Sequence, residues 1–378
     1  MRLLKDEEVK RLATEEVLDK VLKHYEETDV WHFCRANEVH VKGINNLPLF
    51  YMSYAGKITT TCPVDVFEEN VKESGLFIEI PDAFNEKLTY AIREIGLESA
   101  YDRAGLSCRL MRTIEDTGLV RALDAEQRGI LLDTGFAQSS EEIKILVSDE
   151  KISTVGSAKY AILDYRTGLN NAKESILLQP DFDGISFSNG AISHEGLVVA
   201  FDISGAGVDS HRLMLERAVN GSIDYQFIWS SSHTKMSSMI GRLAVNVNGV
   251  TIPVGKSVKI RHMGQAEALM EQFRKSVGRL GASLKENEDQ IERLGNTPIY
   301  FPKTCLKNAL DTCSSISAAA KKAAVDSMPD VACTAMDVYL KVNEAAMSVK
   351  GVSALVAAME EAAQLQAMNF KVFEKEKL

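Results

Sequence analysis

Hydrophobic and polar positions alternate along this chain in two different periods, and the changes of period outline its elements. From Asp6 to Glu27, Val9, Leu12, Ala13, Val17, Val21 and Leu22 recur at helical spacing with charges opposite, which predicts an amphipathic helix. Between Trp31 and Thr61 apolar positions (Val39, Val41, Leu49, Tyr51, Ile58) alternate with polar ones and are broken at Lys42-Gly43 and Ala55-Gly56, a pattern of short strands. Pro63 to Gly135 returns to helical spacing in pieces, with Asp65 and Asp82 expected as N-caps and Gly75 and Gly96 as stops.

The middle of the chain reads as β. Residues 143–147, 158–163, 184–187, 196–203, 224–229, 243–247, 250–254 and 257–261 are strand-like and separated by Gly, Asn and Ser. Asn248-Gly249 sits between two alternating runs and predicts a two-residue hairpin, because both central residues of a type I′ turn need positive φ. Pro253 to Lys256 suggests a second reversal, and Gln265 to Leu280 a helix with Ala266, Leu269, Met270, Phe273 and Val277 on one stripe. Thr304–Met328 and Asp330–Phe370 are helical and rich in Ala and Met. Pro329 and Gly351 divide them into three helices.

The expected fold is therefore α+β: a mixed, mainly antiparallel central β region, with N-terminal helices and a C-terminal helical hairpin or bundle. The regions expected are 1–140 (N-terminal α/β), 141–300 (β-rich core with a basic hairpin and helix) and 301–378 (C-terminal helical).

Composition adds little until charge is mapped onto this pattern. A chain of 378 residues, 45% hydrophobic and 25% charged, can bury one or two cores. Its six cysteines form no CxxC pair, which fits free thiols in a reducing compartment. No run of about 18 apolar residues and no leader pattern is seen, so a cytoplasmic protein without a membrane partner is expected.

Charge is far from uniform. Between Ser231 and Lys285, Lys235, Arg242, Lys256, Lys259, Arg261, Arg274, Lys275, Arg279 and Lys285 face only Glu267 and Glu271. That stretch of 55 residues carries +7 in a chain of net charge −10, so the rest carries −17. Such asymmetry points to an anionic partner for one face. Period 2 places Lys259 and Arg261 on one side of a strand, and Arg274 and Lys275 leave the apolar stripe of the next helix. A groove between strand and helix could then hold a nucleic-acid backbone through Lys256, Lys259, Arg261, Arg274, Lys275 and Arg279. Tyr225, Phe227 and Trp229 alternate along one strand, which makes Tyr225 and Trp229 candidates for base stacking, with core packing as the alternative.

Other motifs fall short of a chemistry. Asp181-Phe182-Asp183-Gly184 opens like a calcium loop, but Ile192 stands where the loop needs its bidentate Glu. His32, Cys34 and His40 lack a fourth zinc ligand, and Gly205-Ala206-Gly207 lacks the third glycine of a dinucleotide site. Ser230 to Thr234 sets hydroxyls beside His233 with no third group, and reads as a polar loop. No metal, cofactor or catalytic residue is expected. Asp181, Asp183 and His194 are the least implausible participants in an enzyme site built from distant loops.

Val147-Ser148-Asp149, Tyr160-Ala161-Ile162-Leu163-Asp164, Asn248-Gly249 and Ile260-Arg261-His262 occur in an order that resembles the phage and plasmid-borne family of unknown function, over roughly residues 140 to 280. The chain departs from that pattern in the ten residues between Asp149 and Tyr160 and in lacking a cysteine before Asn248. The resemblance implies a bacteriophage or mobile-element origin and a role in DNA metabolism. A strand-and-helix core with a basic groove also looks like the single-strand annealing proteins of phages, which work as rings or filaments. The expected function is thus single-stranded nucleic-acid binding or annealing by a homo-oligomer. The alternative is a self-assembling phage structural protein whose basic patch docks an acidic face of its neighbour.

Overall fold

The computed structural model describes residues 4, 8–46, 60, 62–81, 87–107, 111, 123–209, 212, 216, 223–234 and 237–375. Leu49, Tyr51, Ala55-Gly56, Ile58, Asp82 and Lys235 lie outside the described residues. In chain order the first elements are β1 (Lys10–Leu12), α1 (Glu15–Thr28), β2 (Val30–Arg35), β3 (His40–Gly43), α2 (Val64–Val71), β4 (Leu76–Pro81), β5 (Lys87–Ile92), α3 (Glu94–Arg103) and α4 (Ala125–Ala137). The middle holds β6 (Glu142–Ser148), β7 (Lys151–Ser157), α5 (Tyr165–Leu177), β8 (Gly184–Ser193), β9 (Gly196–Ser204), β10 (Ile223–Ser231), β11 (Ser237–Val247) and β12 (Val250–Arg261). There follow α6 (Ala266–Val277), α7 (Ser283–Gly295), β13 (Pro298–Ile299), α8 (Pro302–Leu310), α9 (Ala318–Ser327), β14 (Cys333–Thr334), α10 (Ala335–Met347) and α11 (Val352–Gln366).

The class is α+β, as the pattern predicts, but the chain divides in space differently from the expected borders. One unit comprises Met1–Asp6, Asp19–Ile162 and His262–Gln265, and the other Glu7–Leu18, Leu163–Arg261 and Ala266–Leu378. Residues 140 and 300 each fall inside a unit.

The first unit is built on a six-stranded sheet in the order β2-β6-β7-β5-β4-β3. Only β5 and β7 run parallel, at Ala91↔Lys151 and Ile92↔Ile152. Leu76, Ile78 and Ile80 of β4 alternate onto the face covered by Leu97 and Tyr101 of α3 and Leu132 and Phe136 of α4. Phe77 and Ala91 face the other way, against Phe67 and Val71 of α2. Helix α4 is seated by Asp124, which caps the backbone N–H of Gln127, by Asn45, which accepts from Ala125, and by Asp133, which accepts from Val41 of β3. Two glycines allow this close approach: a Cβ on Gly129 would lie 2.4 Å from the Gly43 nitrogen.

Several expectations are corrected here. Residues 10–12 pair with β8 at Lys10↔Ile192 instead of continuing a helix, so α1 begins only at Glu15. The 63–135 region contains strands β4 and β5, whose apolar residues are buried on both faces and so lose the alternation that marks a strand. Asp65 lies in the first turn of α2, whose N-cap is Pro63. Helix α2 ends at Val71 with Lys72 as its C-cap, and Gly75 closes the following turn at φ +70°, whereas Gly96 lies within α3 where its missing side chain admits the backbone of Ile152. Residues 158–163 form no strand beyond the single bridge Tyr160↔Met263.

The second unit contains a wholly antiparallel six-stranded sheet, β1-β8-β9-β10-β11-β12. Asn248 and Gly249 stand at φ +51° and +87°, the hairpin expected between β11 and β12. The expected reversal at Pro253–Lys256 is instead an irregularity within one long strand. Pairing passes from Leu243↔Val254 to Gly241↔Val258, and Gly255 takes φ +59°. One face of the sheet, with Phe227, Trp229 and Met239, is covered by α5 and α6. The other, with Val198, Ala200, Ile228 and Ala244, is covered by Val352 and Met359 of α11. The C-terminal segment has four helices, α8 to α11, and not three. Ser317 caps α9 and Thr334 caps α10, and Gly351 opens α11 at φ +92°.

Gly129→Ala should drive α4 off β3 and cost about 1–3 kcal/mol through overpacking. Urea unfolding monitored by circular dichroism would show it as a lowered midpoint with an unchanged slope.

Candidate nucleic-acid interface

The basic stretch occupies β11, β12 and α6, and the sheet divides it. Gly241 and Arg242 are neighbours on β11 and point to opposite faces. Phe273 of α6 packs over Gly241, while Arg242 reaches α11 on the other side. Lys259 pairs with Ile240, which shares the face of Arg242, and Arg261 follows two residues on. Lys259 and Arg261 therefore lie on the α11 side of the sheet, and Arg274 and Lys275 lie on the helix covering its opposite face. The groove expected between strand and helix does not gather all six cations.

Glu360 of α11 organises the β12 side. Glu195, in the β8–β9 turn, accepts the backbone N–H of Ser353 in the first turn of α11, 3.1 Å away. Two turns further along, Glu360 meets Arg242 at 2.9 Å and Lys259 at 2.5 Å and accepts the Ser257 hydroxyl at 2.9 Å. Arg242 is 3% exposed and also donates to the carbonyl of Met359. Burial lowers the pKa of Arg242, and Glu360 with Tyr339 offsets part of that. Burial alone would raise Glu360, but Arg242, Lys259 and Ser257 outweigh it and leave the carboxyl below its ordinary value. One carboxylate thus faces two cations, so the cluster keeps a net positive charge, displayed by the 44%-exposed Lys259.

Lys256, Arg261 and Arg279 are exposed and make no ion pair among the described residues. Arg274 pairs with Glu271 at 3.3 Å and donates to Asn171 of α5, and Lys275 also pairs with Glu271, at 3.3 Å. The α6 side therefore has part of its charge matched locally.

Tyr225 and Trp229 share one face of β10, as period 2 requires, but that face is interior. Tyr225 is 1% and Trp229 0% exposed. Trp229 lies against Gly168 of α5, and burial raises the pKa of Tyr225, with Arg212 opposing. Rings covered by a helical layer cannot stack on bases, so both leave the candidate site. An alternating aromatic strand looks the same from sequence whether its face is wet or dry.

The remaining motifs are placed just as plainly. Asp181 and Asp183 precede β8 and His194 follows it, so about 30 Å of strand separates them and they cannot form one catalytic site. Ser232 donates to the carbonyl of Glu195, and His233 packs on Tyr165 at 4.5 Å. No group of three potential metal ligands occurs among the described residues. Burial pushes the Cys34 and Cys333 thiols up to about 11 and the Cys305 thiol up to about 12.

One polar cluster in the first unit escaped the sequence reading. His24 of α1 pairs with Asp149 at 2.7 Å, Arg93 donates to the carbonyl of Ser148, and the fully buried Lys151 donates to Glu73 at 2.8 Å. Asp149 and Glu150 form the two-residue turn between β6 and β7 at φ +47° and +64°. Two alternating runs flanking a two-residue gap were the available signal, but a turn of this type normally carries Asn-Gly. Comparison with protein-family models, with curated proteins and with solved structures returned no match.

Glu360→Gln should cost about 2–3 kcal/mol, because it leaves Arg242 buried without a counter-charge. A carboxyl whose folded pKa is depressed contributes stability above its ordinary value of 4.5 and loses it as pH falls through the lower folded value. The wild-type advantage over the variant, read from denaturation midpoints, should thus be constant at neutral pH and shrink below about pH 4.5.

Proposed function

We propose that this chain binds the phosphate backbone of single-stranded nucleic acid along β12, without stacking on its bases. The carrying observation is that Lys256, Lys259 and Arg261 are all exposed on the outermost strand of the sheet, and that Glu360, the one carboxylate among them, is already matched by Arg242. Three cations on a strand advancing about 3.4 Å per residue form a short linear array, suited to a backbone of repeated charge. The affinity is independent of base sequence, since no ring is presented there. The resemblance to phage and plasmid-borne proteins supports the setting, a bacteriophage or mobile-element protein acting on DNA. Among the described residues no helix is long and apolar enough to cross a membrane.

A second reading, a self-assembling structural protein, is favoured by one observation. The edge strand β2 of the first unit carries exposed Val30 and Phe33 and pairs on one side only among the described residues.

Fluorescence anisotropy of a labelled single-stranded oligonucleotide, titrated at several salt concentrations, tests the first reading. Replacing Lys256, Lys259 and Arg261 together by Ala should flatten the slope of log K against log salt by about 2, since each phosphate no longer neutralised removes about 0.7. Equal slopes for parent and variant would reject β12 as the site.

A further inference from the structure

The three cations of β12 differ in what already holds them. Lys256 and Arg261 are exposed and make no ion pair among the described residues. Lys259, which stands between them, gives its ammonium to Glu360 at 2.5 Å. Ser257 donates its hydroxyl to the same carboxylate oxygen at 2.9 Å. The other oxygen of Glu360 meets Arg242, also at 2.9 Å.

A carboxylate held in this way does not swing aside when another anion arrives. The Glu360 side chain is only 19% exposed. Arg242, buried beside it, also donates to the carbonyl of Met359, the residue that precedes Glu360 on α11. Moving Glu360 away would leave a buried guanidinium unmatched. Burial opposes ionisation of Glu360, but Arg242, Lys259 and Ser257 outweigh it and keep the carboxyl charged at neutral pH.

A phosphate that approaches Lys259 therefore meets an ammonium already in use. An ammonium has three N–H donors, so Lys259 can take a phosphate oxygen while still bound to Glu360. Two anions then lie around one nitrogen and repel each other. The alternative is that the ammonium leaves Glu360 and gives up a charge-assisted hydrogen bond. Either route costs free energy, a cost that Lys256 and Arg261 do not carry.

We infer that Glu360 restrains nucleic-acid binding at β12, its carboxylate holding the Lys259 ammonium as an internal competitor of the phosphate. This rests on the reading of β12 as a phosphate-binding strand. Glu360 is a positioning residue that touches no ligand and acts through Lys259. The restraint is fixed by the core, because the same carboxylate is the counter-charge of Arg242.

Fluorescence anisotropy of a labelled oligodeoxythymidylate at one low salt concentration tests it. The full-length parent is compared with Glu360→Gln, Lys259→Ala and the double variant, each checked for folding by circular dichroism. Glu360→Gln should bind about fivefold tighter, the effect of removing one like charge about 4 Å from a phosphate in water. Damage to the fold would move affinity the other way. In the Lys259→Ala background the same substitution should change affinity by less than about twofold, since the residue it acts through is gone. If Glu360→Gln does not fold, the single alanine variants decide. Arg261→Ala should then weaken binding by about twice the factor that Lys259→Ala does, because only Lys259 is already engaged. A folded Glu360→Gln chain that binds no tighter than the parent, or a gain that survives in the Lys259→Ala background, would overturn the inference. So would equal losses from the two alanine variants where they decide. A parent that does not bind the oligonucleotide would reject the reading of β12 itself, and the inference with it.

Discussion

A guanidinium taken out of water has to be matched where it lies, and Arg242 imposes that constraint on the second unit. It sits on a central strand whose two faces are both covered by helices, so the opposite charge must come from a covering layer. Glu360 supplies it, and can do so only because α11 is fixed along the sheet. Its start is held by the Glu195 carboxylate, and Val352 and Met359 fill the space over Ile228 and Ala244. The charge on Lys259 is what remains after Arg242 and Glu360 have neutralised each other, so the surface character of β12 follows from a requirement of the core.

The two sheets treat their outer strands differently. On β12 the exposed Lys256, Lys259 and Arg261 would oppose addition of another strand by a like copy, as cations on sheet edges commonly do, while attracting a polyanion. On β2 the exposed residues are Val30, Phe33 and Arg35, two of them apolar. The first suits an extended ligand of uniform charge.

How much of this was legible beforehand depended on whether the signal was local. The Asn248-Gly249 hairpin was readable because positive φ at both positions is a property of those two residues alone. Strand β10 and helix α6 were readable from their apolar periods, and β9 as a short apolar run opened by Gly196. Strands β4 and β5 were missed because burial on both faces removes alternation, and β1 because three residues recruited by β8 carry no period of their own. The turn at Asp149-Glu150 was hidden by residues that seldom adopt its backbone, and the fourth C-terminal helix by alanine runs that mask the boundaries.

By itself the sequence determined the α+β class, the basic stretch and the alternation of Lys259 with Arg261 on one side of a strand, since composition and period are properties of neighbouring residues. Only the tertiary structure decided which side of each strand is dry. It turned Tyr225 and Trp229 inward, set Arg274 and Lys275 on the helix over the opposite face from Lys259, and brought Glu360 to Arg242 across more than a hundred residues of chain. The physical reason is that a strand's two faces are equivalent until helices cover them. The covering helices are distant in sequence, and no local period records where they will pack.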